Sequence, residues 1–146
     1  MGRVEGAGAQ ELSGLVSSRV QPGVLWTHND SGDGPRLLAL GRNGRSRGTF
    51  EVSDAQALDW EDIAVRGQDL YVGDIGDNAG QRPEIVVYRV AEPPIDQGGG
   101  PTTPATPLRL RYPDGPHDAE ALLVDPSRGD LVVVTKELDG VAGVYV

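Results

Sequence analysis

The chain has 146 residues, enough for one domain with a modest core. Its 22 acidic against 13 basic residues give a net charge of −9, which leaves no basic face for nucleic acid and disfavours anionic membranes. There is no cysteine, so disulfide frameworks and thiolate chemistry are excluded, and no apolar run reaches the ~20 residues of a membrane-spanning helix.

The opening Met1-Gly2-Arg3-Val4-Glu5-Gly6-Ala7-Gly8 lacks the apolar centre of a signal peptide. The protein is then either cytoplasmic, or its sequence starts after a targeting segment. Beyond Gly8 the sequence repeats. The first unit, residues 11–52, holds Glu11-Leu12-Ser13-Gly14-Leu15-Val16, Leu25-Trp26-Thr27-His28-Asn29-Asp30, Arg36-Leu37-Leu38-Ala39-Leu40 and Gly48-Thr49-Phe50-Glu51-Val52. Each is a short apolar run bounded by turn residues and reads as a strand.

The second unit, residues 59–112, begins Asp59-Trp60-Glu61-Asp62-Ile63-Ala64. It continues with Leu70-Tyr71-Val72-Gly73-Asp74, Glu84-Ile85-Val86-Val87-Tyr88-Arg89-Val90 and Leu108-Arg109-Leu110-Arg111-Tyr112. Residues 93–107, rich in Gly and Pro, read as a surface-loop insert without a core of its own. The third unit, residues 118–146, holds Asp118-Ala119-Glu120-Ala121-Leu122-Leu123, Leu131-Val132-Val133-Val134-Thr135-Lys136 and Gly143-Val144-Tyr145-Val146, and lacks its outer strand.

No segment carries a helical period. Four short antiparallel strands repeated every 40–50 residues predict an all-β protein, a β-propeller segment of about three blades with the last incomplete. A β-sandwich is the competing architecture, but it does not explain acidic residues recurring at one place in each unit. Three blades do not close a ring. The chain is therefore half of a longer propeller, or two copies form a homodimer that completes a six-bladed ring. In the second case Arg3-Val4-Glu5 of one copy would supply the missing outer strand of the other.

In an antiparallel pair, the start of the first strand and the end of the second share one end of the sheet. That gathers Glu11, Ser13, His28, Asn29, Asp30 and Asp33 from the first unit, and Asp59, Glu61, Asp62, Asp74, Asp77 and Asn78 from the second. The third adds His117, Asp118, Glu120, Lys136 and Glu137. Carboxylates and amide oxygens between glycines suit a hard cation, Ca2+ first, bound by Glu61, Asp74, Asp77 and Glu120. Asp59, Asn29, Asp30, Asn78 and Asp118 are second choices. For any one aspartate in these loops the competing role is an Asx turn. For Glu61 and Glu120 it is an ion pair with Lys136, the only lysine. Trp26, Trp60 and Tyr71 are expected to pack between units. Ser13 lacks a nucleophile elbow.

The strings Glu-Leu-Ser-Gly-Leu, Leu-Trp-Thr-His-Asn-Asp-Ser-Gly, Asp-Trp-Glu-Asp-Ile-Ala, Leu-Tyr-Val-Gly-Asp-Ile-Gly-Asp-Asn and Asp-Ala-Glu-Ala-Leu-Leu-Val-Asp-Pro resemble bacterial six-bladed propellers of the phytase-like and esterase-like superfamily. The resemblance spans Glu11 to Val146 and implies the first half of such a domain, in a secreted or periplasmic protein. Propeller phytases bind several calcium ions and hydrolyse phytate at a mouth that also needs basic residues; here Ala121 replaces a glycine of their Asp-x-Glu-Gly step and lysine is nearly absent. Two functions follow. One is a calcium-stabilised module binding a small-molecule or protein ligand at its acidic face. The other is a metal-dependent hydrolase of phosphoesters or lactones, of the propeller phytase or gluconolactonase type, for which Glu61, Glu120, Lys136 and His28 are the candidate catalytic residues. A purely structural repeat is the third possibility.

Overall fold

The computed structural model describes residues 3–4, 8–137 and 140–146. Short apolar runs separated by Gly and Pro turns cannot sustain a helix, and among the described residues there is no α-helix. Among the described residues no helix is long and apolar enough to cross a membrane.

Three sheets follow one another along the chain. The first contains β1 (Leu12–Ser17), β2 (Val24–Asn29), β3 (Arg36–Gly41) and β4 (Ser46–Glu51), in that order. The second contains β5 (Trp60–Arg66), β6 (Asp69–Asp74), β7 (Ile85–Ala91) and β9 (Thr106–Leu110). The third contains β10 (Ala119–Val124), β11 (Leu131–Thr135) and the two-residue β12 (Val144–Tyr145). Within each, consecutive strands are antiparallel.

Alternation along each strand sends side chains to both faces, and the sheets bury those faces against one another. Trp26, Leu37, Ala39 and Phe50 of the first sheet meet Trp60, Ile63, Leu70, Val72 and Tyr88 of the second. Tyr71, Ile85 and Val87 on the other face of the second sheet meet Ala119, Leu122 and Val133 of the third. Trp26 and Trp60 are buried, and Trp26 meets Phe50 edge-on at 5.4 Å. The wide aromatics therefore sit between sheets, as expected.

The Gly- and Pro-rich insert 93–107 departs from the expected open loop. It forms a 3-10 turn at Ile95–Gln97 and then β8 (Gly99–Pro101), which runs parallel to β4 and extends the first sheet. Thr102 and Ala105 are buried, and Ser53 both donates to Thr102 O (2.9 Å) and accepts from Ala105 N (2.9 Å). Glycine is needed here for approach rather than slack: a Cβ on Gly99 would lie 2.7 Å from Thr49 O. The outer strand of the second sheet starts inside the insert, at Thr106.

The expected donor strand is only partly described, since Glu5 lies outside the described residues. Arg3 and Val4 lie against their own first sheet: a Cβ on Gly44 would run into Arg3 O, and Val4 lines a groove with Leu12 and Leu15.

Candidate metal centre

Each first strand carries a β-bulge near its start. The register shifts between Ser13 and Leu15, between Trp60 and Asp62, and between Ala119 and Ala121. A bulge re-aims the side chains beside it. In β5 and β10 the residue at the shift is a glutamate, Glu61 or Glu120. In β1 it is Gly14, at φ +57°. Just before the bulges, the carbonyls of Glu11, Asp59 and Asp118 accept from Asp30 N (2.8 Å), Gly76 N (3.2 Å) and Lys136 N (2.8 Å). These bonds tie each strand start to the chain leaving the second strand, so acidic residues from all three sheets share one end.

At that end Asp30, Asp59 and Glu61 converge, with one carboxylate oxygen from each lying within 4.8 Å of the others. Ser13 Oγ donates to Glu61 O at 2.8 Å and fixes the backbone of Glu61 to the first sheet. Asp62 fastens the third sheet by accepting from Leu122 N at 2.7 Å. Gly76 makes the convergence possible: a Cβ there would stand 2.5 Å from Glu61 Oε1 and closer still to Asp59 Oδ2. Glu61 is only 6% exposed. Burial, followed by the charges of Glu120, Asp30 and Asp59, pushes its carboxyl up to about 8. Burial and the charges of Asp30 and Asp118 also raise Asp59. Among the described residues no Lys or Arg bonds Asp30, Asp59 or Glu61.

The other predicted residues are placed differently. Asp74 is buried beneath the cluster and paired with Arg82, whose Nη1 lies 2.9 Å from Asp74 Oδ1 and also donates to Gly76 O at 2.6 Å. Asp74 further accepts from Asp59 N at 3.0 Å. Asp77 accepts from Arg82 N (2.7 Å), while its own N–H donates to Asp118 Oδ1 (2.7 Å). Both aspartates thus brace the loop around Arg82. Asn29 donates to Asp33 Oδ2 (2.6 Å), and Asn78 is exposed. Lys136 neutralises Glu120 at 2.6 Å and lies 3.8 Å from Asp118. The expectation that it also pairs with Glu61 is corrected: its ammonium is held on the exposed side by Glu120. His28 is fully buried, donates from Nδ1 to Asn29 O (2.8 Å) and stands edge-on to Trp60. Burial lowers its pKa and keeps it neutral. His117, just before β10, binds Glu137 (2.8 Å), which follows β11, and Asp114 (3.1 Å).

Arg82 is the residue that sequence reasoning missed. The available signal was a single arginine closing an acidic loop that otherwise had no counter-charge.

Comparison with known proteins found no match among protein-family models, curated proteins or solved structures.

Proposed function

We propose that the chain is a β-propeller segment whose acidic end binds a divalent cation, calcium first, and through it an anionic ligand or partner. The observation that carries this reading is the convergence of Asp30, Asp59 and Glu61 without a bonded basic group among the described residues, at a place kept open by Gly76. Like charges this close, one of them buried, repel unless a proton or a cation intervenes. Calcium takes six to eight oxygens, and three carboxylates can supply up to six. Water or an anionic ligand would complete the shell. The all-oxygen donor set favours calcium over zinc, which prefers nitrogen and sulfur.

Support for the blade reading comes from the shared strand order, the bulge at the start of every first strand and the stacking of the sheets face to face. The resemblance to phytase-like propellers, and with it a secreted or periplasmic setting, points the same way. Binding is preferred to hydrolysis because Lys136 is engaged by Glu120 and His28 is sealed beneath Trp60. Neither is positioned to stabilise charge developing on a substrate.

Calorimetric titration of chelator-stripped protein tests the reading. Calcium is expected to bind, magnesium to bind more weakly, and Asp59→Asn with Glu61→Gln to remove the calcium heat. Absence of binding to the unmodified chain contradicts it.

A further inference from the structure

The first strands of the three sheets correspond in register on either side of the bulge, which falls one residue later in β1 than in β5 and β10, so one residue can be compared in three settings. The pairs Leu12–Asn29, Trp60–Asp74 and Ala119–Thr135 are equivalent. Three residues further along the first strand lie Leu15, Ile63 and Leu122, opposite Thr27, Val72 and Val133. Ile63 is buried against the first sheet and Leu122 against the second. Leu15 is 60% exposed, in a groove of ≈ 510 Å³ that Leu12, Leu25 and Leu40 also line.

The next residue points to the opposite face. Val16 packs into the first core and Ala64 into the second, but their equivalent Leu123 is 53% exposed. One interface is therefore buried twice within the chain, and among the described residues its two separate halves are left open on the first and third sheets, where Val4 alone of the N-terminal residues lines the groove on the first.

We propose that a second copy of this chain covers both open faces, the third sheet of each copy packing on the first sheet of the other. The inference rests on the blade reading above, and not on the cation. An unrelated partner, or further polypeptide beyond the given sequence, would have to supply two different faces. A second copy carries both, because each open face is the complement of the other. The contact is head-to-tail, and such a contact forms a closed ring when the rotation allows it. Six sheets fall within the four to eight that close a propeller, whereas three do not. Closure would also cover the apolar side chains that a lone chain leaves in water.

Sedimentation velocity in chelator-containing buffer, across a concentration series, tests the proposal on the full chain. The unmodified protein is expected at twice its 15.4 kDa mass. Leu15→Arg and Leu123→Glu, both at exposed positions, should each sediment at the mass of one chain with an unchanged far-ultraviolet spectrum. Mixed in equal amounts they should recover the double mass, because one junction is then unmodified and the other pairs Arg with Glu. An unmodified chain that stays single overturns the second copy and leaves the blades standing. Dimers indifferent to both substitutions, or masses that grow past two copies, overturn the head-to-tail ring itself.

Discussion

Asp74 and Glu61 lie on adjacent strands of one sheet, both nearly inaccessible to water, and are treated in opposite ways. Asp74 is given Arg82 and two backbone N–H groups, from Leu58 and Asp59. Glu61 is given Asp30, Asp59 and Glu120 as neighbours, so its environment adds negative charge instead of cancelling it. A buried charge that is fully paired is a structural part. One surrounded by its own kind has a partner supplied from outside, or it holds a proton. The contrast separates carboxylates that hold the loop from those to which no Lys or Arg bonds among the described residues.

The sharpest way to break the contrast is to take away the compensation. Arg82→Met leaves Asp74 buried and unpaired, and it should cost about 3–5 kcal/mol of stability. Chemical denaturation measures that loss, and a cost below about 1 kcal/mol would show that Asp74 was never dependent on Arg82.

A smaller effect is expected from closing the other site. Gly76→Ala drives a methyl group against Asp59 and Glu61, with an overpacking cost of about 1–3 kcal/mol and loss of calcium binding. Retention of calcium by this variant would move the site elsewhere.

The mildest intervention is pH. Glu61 has a folded pKa of about 8, raised above its ordinary 4.5, so the folded state binds the proton more tightly than the unfolded chain. Its contribution is fully present below about 4.5 and is lost as pH rises towards 8. In chelator the melting temperature should therefore fall over that window. Glu61→Gln should flatten the decline, and calcium should replace the proton and flatten it too. A profile unchanged by Glu61→Gln would deny the buried carboxyl any such role.

Much of this architecture was legible. Alternating apolar runs and their turn residues located the strands, and Asp59-Trp60-Glu61 correctly placed carboxylates at the start of the second sheet. Asp30 and Asp59 rank behind Asp74 as sequence-level ligands because sequence shows which loop a carboxylate occupies but not what its oxygens face. That depends on Arg82, eight residues beyond Asp74, folding back over the loop. The insert 93–107 departs from the expected surface loop for a related reason. Glycine signals slack and close approach equally well, and only the position of Thr49 decides between them. The bulges were hidden as well, since an extra residue in one strand is defined by its partner.

The central claim is that the cluster of Asp30, Asp59 and Glu61, to which no Lys or Arg bonds among the described residues, is a cation site. A thermal melt of the purified chain in chelator, then with calcium added back and with magnesium as the control, tests it most directly. Binding to the native state alone stabilises by about 2.7 kcal/mol at a hundredfold excess over Kd. The account predicts a clear upward shift with calcium, a smaller one with magnesium, and none for Glu61→Gln. An identical melt in all three solutions would contradict it, and would leave Asp30, Asp59 and Glu61 as carboxyls that share protons within the fold.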